Sequence, residues 1–236
     1  MSFADIRPWP HDASIGHLVV RDVARTPSVR QIRELVRSAF ADHPEMEALR
    51  TSALFPGARE RFADAGFVEV DRLALLERDI DRIEPIATMR RRPTNCDDRI
   101  DVRRLGARHL ADAERIDVAA FGGEWANDAR SLADIQRATP RHRSRLGELD
   151  GRTAGFAITG LAGPTGYLQR LAVDPTARRH GLGRRLVDDS LAWLQRRGAS
   201  TVLVNTGVDN EPAMALYESL GFHRRRDELV VMQLTR

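Results

Sequence analysis

The residues best suited to chemistry stand in one short stretch ahead of a long amphipathic segment. The sequence DPTARRHGLGR, Asp174–Arg184, places Gly181 and Gly183 two residues apart and includes three arginines. Glycines at this spacing let backbone N–H groups face a ligand without interference from Cβ atoms. A following helix would add free N–H donors and about half a positive charge. The stretch therefore predicts a pyrophosphate site, although a GxG pair alone is weak evidence and a tight Arg-rich turn is the alternative.

Two flanking blocks strengthen the first interpretation. The pattern [RQ]-x-x-G-x-[GA] at Arg178–Gly183 follows the sequence LAVDP at Leu171–Pro175, and NEPAMALYESLGF follows at Asn210–Phe222. A dinucleotide-binding motif is excluded because GxGxxG and its downstream acidic partner are absent. A nucleotide P-loop is excluded because the chain contains no lysine.

At this spacing the two blocks resemble the GNAT superfamily of acyl-CoA-dependent N-acetyltransferases, over residues 99–236. The resemblance implies an α/β GNAT fold, with a mixed and mostly antiparallel central sheet flanked by helices. It also implies acetyl-CoA as co-substrate, with no metal, and an amine as acceptor. The positions that would bind acetyl-CoA are Leu171, Ala172, Val173, Arg178, Arg179, His180, Gly181, Leu182, Gly183, Arg184 and Asn210.

The resemblance also implies how the reaction would run. The amine would attack the thioester directly, a backbone N–H such as that of Val173 would stabilise the oxyanion, and Tyr217 would protonate the departing thiolate. Core packing is the alternative role for Tyr217. In the motif copy described below, its counterpart is Phe62, which has no hydroxyl. This contrast favours a chemical role for the tyrosine.

Two positions are candidates for the general base. The chain most resembles bacterial ribosomal-protein-alanine N-acetyltransferases, whose base is a glutamate five residues before the asparagine; here that position is Asn205. Asparagine cannot take a proton, but it can hold a water molecule. Glu124 is a second candidate base, with a solvated loop carboxylate as the alternative. A lysine acceptor costs about 4.6 kcal/mol to deprotonate at pH 7 and an α-amino group about 1.4 kcal/mol, which favours a weakly basic acceptor.

Hydrophobic periodicity predicts the strands and helices that position these residues. Strands are expected at Ile100–Arg103, Arg145–Leu149, Gly155–Thr159, Tyr167–Val173, Thr201–Val204 and Leu229–Leu234. Helices are expected at Ala107–Ala120, from Asn127 or Asp128 to Thr139, at Gly181–Arg197 and at Glu211–Leu220. This alternation is typical of a layered α/β domain.

The first part of the chain contains a weaker copy of this pattern. The motif A-x3-[FY]-x3-G-F occurs at Ala58–Phe67 and again at Ala213–Phe222, at an offset of 155 residues. We interpret residues 1–92 as a degenerate half GNAT domain without the glycine loop, residues 93–98 as a linker, and residues 99–236 as the catalytic domain. A chance similarity is the alternative, because a helix, a Gly-Phe pair and a strand are a common combination.

Composition limits the partners and the cellular compartment that we expect. All 37 basic residues are arginine, interspersed with 34 acidic residues for a net charge of +3, so nucleic acid is not an expected partner. The single Cys96, with no signal peptide and no apolar run of 18 residues, predicts a cytoplasmic protein with no membrane partner, as a monomer or homodimer. A non-catalytic acyl-CoA-binding regulatory or assembly module is the alternative function, and Asn205 favours it.

Overall fold

The computed structural model describes residues 3–20, 27–80 and 100–236. The predicted linker 93–98 and Cys96 lie outside these residues. The elements of the first part are β1 (Ala4–Trp9), β2 (Asp12–Val20), α1 (Val29–Asp42), β3 (Ala48–Thr51), α2 (Pro56–Asp64) and β4 (Val68–Asp79). Those of the second part are β5 (Ile100–Arg104), α3 (Leu110–Phe121), α4 (Ala129–Arg137), β6 (Arg141–Leu149), β7 (Arg152–Ala162), β8 (Thr165–Val173), α5 (Leu182–Arg196), β9 (Thr201–Gly207), α6 (Glu211–Ser219) and β10 (His223–Thr235).

Every strand and helix expected between residues 100 and 236 is present, but several are longer or shorter than expected. Strand β6 begins at Arg141, four residues early, and β10 begins at His223, six residues early. The added residues are mostly exposed and charged. A hydrophobic pattern marks only the part of a strand that has a buried face, so these strand ends left no signal.

The chain separates into two compact units. The first contains Met1–Leu75, Asn205–Ala213 and Arg224–Arg236, and the second contains Leu76–Val204 and Met214–His223. The C-terminal strand belongs to the first unit because β10 pairs antiparallel with β3. The division into residues 1–92 and 99–236 stays a prediction.

The sheet of the first unit has the strand order β1-β2-β3-β10-β4. Strands β1 and β2 form an antiparallel hairpin, whereas β2 and β3 run parallel. Its core brings together apolar side chains of both helices and the sheet, among them Ile32, Leu49, Phe62, Phe67 and Val230.

The sheet of the second unit includes the order β9-β8-β7-β6-β5, with β8 and β9 parallel and the other pairs antiparallel. Side chains of β7 alternate between two cores, as successive residues of a strand do. Phe156 packs with α3 and α4, whereas Ala157 packs with Leu182 and Leu186 of α5. A mixed sheet flanked by helices on both faces confirms the expected α/β class. Among the described residues, no helix has the length and apolar content to cross a bilayer.

Candidate active site

The predicted phosphate loop lies between β8 and α5. Asp174 Oδ1 accepts hydrogen bonds from the backbone N of Thr176 (3.0 Å) and from its hydroxyl (2.7 Å), which shapes the first turn after the strand. These two bonds lower the pKa of the Asp174 carboxyl. Gly181 then adopts φ +84°, a left-handed conformation that favours glycine. No side chain of the described residues caps α5, which leaves its first N–H groups available to an anion.

At Gly183, the second glycine of the loop, the missing side chain matters for ligand access. A Cβ on Gly183 would lie 3.5 Å from Val173 Cγ2 and 3.6 Å from Leu216 Cδ2, which is ordinary contact. The packing of the chain therefore tolerates a side chain at this position. Its absence leaves the helix N-terminus accessible at close range, which fits a diphosphate that must approach the backbone.

Two of the exposed arginines of the loop make hydrogen bonds to neighbouring helices. Arg178 Nη2 donates to the Ala120 carbonyl at the end of α3 (3.3 Å), and Arg184 Nη1 donates to Ser219 Oγ at the end of α6 (3.1 Å). Arg179, at φ +70°, and the neighbouring His180 are both exposed. The loop is thus fixed at two points and presents positive charge between them.

Strand β8 changes partners where it approaches this loop. Thr159 pairs with Leu168 but Ile158 pairs with Arg170, so Gln169 is an extra residue, a β-bulge. Pairing between β8 and β9 ends at Leu168, although β8 continues to Val173. Bulges bend a strand and end its pairing. Beyond the bulge, β7 is the only strand paired with β8 in the part of the chain that the structure describes.

The unpaired edge of β8 presents two of the three predicted backbone positions. The backbone N of Asp174 donates to the Ala154 carbonyl (2.8 Å), and antiparallel residue pairs alternate between hydrogen-bonded and non-hydrogen-bonded. The backbone groups of Ala172 therefore face β7. Those of Leu171 and Val173 face the opposite, open edge.

Tyr217 lies in the second unit, on α6. It is 4% exposed, and its ring is tilted against Phe222 with centroids 5.6 Å apart. Burial raises the pKa of its phenol, and the positive charge of Arg170 opposes the rise in part. The hydroxyl therefore keeps its proton throughout the neutral range. It has the protonation state that an acid needs.

The two asparagines are assigned to the first unit. Asn210 precedes α6, and its Oδ1 accepts a hydrogen bond from the backbone N of Ala213 (3.3 Å). This is an N-cap contact, which stabilises the helix that carries the tyrosine. Asn205 is an exposed residue near the end of β9.

Glu124 lies on an exposed turn between α3 and α4 that a buried ion pair anchors. The fully buried Asp117 accepts from Arg170 Nε (2.8 Å) and Nη2 (2.6 Å). Arg170 Nη2 also donates to the Trp125 carbonyl (2.9 Å), and its guanidinium lies over the Phe121 ring at 3.6 Å. Strand β8 thus holds the turn in place.

Sequence reasoning missed this pair. Asp117 comes four residues after Ala113, on the apolar face of α3, and a carboxylate on such a face requires a buried partner. That signal was present in the sequence. It could not identify Arg170 as the partner, because the bulge decides which β8 side chains face α3. Among the described residues, no group of three or more His, Cys, Asp or Glu side chains could hold a metal ion.

In the first unit, the helix start and the strand edge that correspond to the proposed donor site are occupied by hydrogen bonds within the chain. Helix α1 has a complete capping box: Ser28 Oγ accepts from the Gln31 backbone N (3.3 Å), and Gln31 Oε1 accepts from the Ser28 backbone N (2.9 Å). Its N-terminal donors are therefore partly satisfied by the chain itself. This differs from the uncapped α5.

Strand pairing shows the same contrast. The pair Gly16 and Leu49 occupies the position of Leu168 and Val204, where pairing in the second unit stops. In the first unit it continues through His17 with Arg50 and Leu18 with Thr51. The backbone N of Ser52 then donates to the Leu18 carbonyl (3.0 Å). The edge that is open in β8 is occupied in β2.

Residues 110–222 match the model of the acetyltransferase (GNAT) family. Over 74 residues the chain is 42% identical to [ribosomal protein bS18]-alanine N-acetyltransferase of Escherichia coli strain K12, covering 31% of this chain and 50% of that protein. Over 116 residues it is 44% identical to a mycothiol acetyltransferase of Thermomonospora curvata, covering 47% of this chain and 39% of that protein. The alignments thus span half or less of these curated relatives.

The fold of the chain is similar to that of a tandem GNAT protein from the clavulanic acid biosynthesis pathway. The TM-score is 0.65 at 17% identity, covering 94% of this chain and 75% of that one. The mixed sheet and its helices are thus a GNAT fold. Within it, residues 110–222 are an acetyltransferase domain of the GNAT family.

Proposed function

We propose that the protein transfers an acetyl group from acetyl-CoA to a primary amine, either a peptide α-amino group or a small-molecule amine. One observation carries this proposal: the open edge of β8 leads directly into the uncapped N-terminus of α5. Such a path offers backbone donors first to an extended amide-containing arm and then to a diphosphate, in that order along the chain. That is the order of groups in acetyl-CoA.

The chain would bind the donor mainly through its backbone. Leu171 and Val173 present N–H and C=O groups along the open edge, and the first N–H groups of α5 receive the diphosphate. Acetyl-CoA supplies an activated acyl thioester. The Val173 N–H is our choice for the donor that stabilises negative charge on the thioester oxygen, because it faces the open edge near the loop.

Tyr217 would protonate the departing thiolate. Burial keeps the phenol protonated, so it can donate a proton to the thiolate. Phe62, its counterpart in the first unit, also packs against a phenylalanine, Phe67, with centroids 5.2 Å apart. Packing alone therefore does not require a hydroxyl here.

For the acceptor amine we favour a group of low basicity. Asn205 has no carboxylate, and Glu124 lies on an exposed turn, so neither candidate position holds a buried carboxylate. An α-amino group needs about 1.4 kcal/mol for deprotonation at pH 7, against about 4.6 kcal/mol for lysine. The similarity to a ribosomal-protein alanine acetyltransferase and to a mycothiol acetyltransferase supports an α-amino or small-molecule acceptor.

Asn205 also supports a second candidate function. A protein that kept the donor site but has an amide where its relatives have a carboxylate base could bind acyl-CoA as a regulatory or assembly module. The protonated, buried Tyr217 favours the enzyme. Binding and turnover separate the two functions directly.

The decisive experiment measures CoA release from acetyl-CoA over a panel of amines. The panel contains a peptide with a free N-terminal alanine, the same peptide with a blocked N-terminus and one lysine, and a small aminothiol precursor with a free amine. We expect turnover with the first or third and little with the second. Tight acetyl-CoA binding without thiol release on any amine would establish the binding module instead.

The base is tested in the same assay. We expect Glu124→Gln to lower kcat about tenfold or more if Glu124 accepts the proton. Glu60→Gln, which removes an exposed carboxylate on α2, is the matched control. Equal rates for both variants would exclude Glu124 and leave the Asn205-held water as the base.

A further inference from the structure

A cavity of about 390 Å³ lies in the second unit, at the beginning of β6 and the C-terminal end of α5. The phosphate loop lies at the opposite end of α5. That helix has 15 residues, so the two places are about 20 Å apart. The cavity is therefore separate from the proposed donor site.

The cavity exists because β5 ends early. Strand β5 pairs with β6 only from Arg145 onward, and the backbone N of Leu105 makes one further bond to the Ser144 carbonyl (3.0 Å). The chain then turns away into the one-turn segment Ala107–His109. Among the described residues, the first part of β6 has no strand beside it at this edge.

Four arginines line the cavity, namely Arg104, Arg143, Arg145 and Arg197. Arg104 and Arg145 stand directly opposite each other on adjacent strands, an arrangement of like charges that destabilises a sheet. The neighbouring carboxylate is Asp189, which accepts from Arg143 Nε and Nη2 (2.8 and 3.0 Å) and from Arg145 Nε (3.3 Å). Four guanidinium groups against one carboxylate leave three positive charges.

The other two arginines face solvent at the rim. Arg104 and Arg197 are exposed, and within the described parts of the chain neither makes a side-chain ion pair or hydrogen bond. Ser144, also in the cavity wall, is 8% exposed, and its buried Oγ has no hydrogen-bond partner there. A buried hydroxyl without a partner costs free energy. The site thus carries both unbalanced charge and an unsatisfied polar group.

We propose that this cavity binds a small phosphorylated molecule with at least two negative charges. Guanidinium groups match phosphate oxygens in paired hydrogen bonds, and a cleft of one charge sign raises the local concentration of an oppositely charged ligand. The volume lies in the range of small-ligand pockets. A diphosphate would balance the charge that Asp189 leaves.

Calorimetric titration with inorganic pyrophosphate tests the proposal. The protein is first loaded with one equivalent of CoA, so that the site at α5 is filled. The test variant is Arg104→Gln/Arg197→Gln, and the control is Arg225→Gln/Arg226→Gln, which removes the same charge from two exposed arginines elsewhere. We expect one pyrophosphate site per chain, at least tenfold weaker in the test variant and unchanged in the control. Because only the test variant removes charge from the cavity, a difference in pyrophosphate affinity between the two variants assigns the site to the cavity whether or not CoA binds.

Parallel titrations with ADP and citrate define the ligand. Tighter binding of ADP than of pyrophosphate assigns a nucleotide, and equal binding assigns the diphosphate group alone. Citrate binding as tight as pyrophosphate binding would overturn the phosphate assignment. The proposal also fails if no binding is detected at millimolar pyrophosphate, or if both variants weaken binding equally.

Discussion

Replacing Tyr217 by phenylalanine removes one oxygen from a buried position that the fold already fills with phenylalanine elsewhere. In the first unit Phe62 packs against Phe67, as Tyr217 packs against Phe222, with centroid distances of 5.2 and 5.6 Å. We therefore expect the Tyr217→Phe variant to fold and to bind CoA with unchanged affinity. Its melting temperature should stay within a few degrees of the wild type.

The expected loss of kcat follows from the environment of the phenol. A positioned general acid contributes about 100-fold to 10,000-fold, or about 2.7 to 5.5 kcal/mol of transition-state stabilisation. Burial raises the pKa of Tyr217, which makes it a weaker acid toward a thiolate. The lower end of the range applies, so we expect kcat to fall about 100-fold. The assay is initial-rate CoA release with the best amine of the panel.

The control is Tyr167→Phe, the same change at the other tyrosine of the chain. It should leave kcat within about twofold of the wild type, because the Tyr167 hydroxyl takes no part in the proposed reaction. A Tyr217→Phe enzyme with full kcat would refute the assignment of the acid. An alkaline loss of kcat between pH 8 and 9 that disappears in the variant would refute the pKa argument, because a raised phenol pKa predicts no such loss below about pH 10.

Three further predictions address the donor site and the first unit. Gly183→Ala should weaken CoA binding about tenfold or more without lowering the melting temperature, whereas Gly57→Ala in α2 should leave CoA binding unchanged. Equal CoA affinities of the two variants would contradict a close approach of the ligand to the backbone at Gly183. Titration with CoA should give one site per chain, because the capped helix and paired strand edge of the first unit offer no second one; two sites would contradict this. Burial and Arg7 lower the pKa of His17 to about 4. Unfolding therefore takes up a proton below about pH 6.5, and the free energy of unfolding should fall by up to about 3 kcal/mol as the pH drops toward 4. The His17→Gln variant should show a flatter dependence of the free energy of unfolding on pH in this range.

Much of the fold could be predicted because its signals are local. The amphipathic period of α5, the apolar run of β9 and Gly221 at φ +81° after α6 each depend on a few neighbouring residues. The family motif placed the glycine loop and the tyrosine for the same reason. Asp128 is the N-cap of α4, as a short polar residue before a helix indicates, with its Oδ1 accepting from the Ser131 backbone N (2.7 Å).

The features that could not be predicted depend on register between distant strands. An extra residue at Gln169 is recognisable only once β7 and β8 are paired, since the sequence of β8 reads as an ordinary strand. The bulge turns Arg170 toward Asp117, which lies 53 residues away in the chain. The basic cavity likewise requires knowing that β5 stops opposite Arg145. A sequence pattern contains the residues of such sites but not their alignment.

On our interpretation of the first part as a degenerate GNAT copy, strand pairing explains how a donor site could be lost while the fold is kept. Its strand β2 has no bulge at the position of Gln169, so the strand stays paired with β3 and its edge is satisfied by backbone hydrogen bonds. Arg50, at the position of Asn205, places its guanidinium 4.7 Å from the centre of the Trp9 ring and donates to Gln233 Oε1 (2.8 Å). Both features place contacts within the chain at positions that correspond to the proposed donor site of the second unit. Donor binding in the first unit would therefore require breaking both contacts at once, and we expect a single substitution such as Ser28→Gly to uncap α1 without opening the sheet.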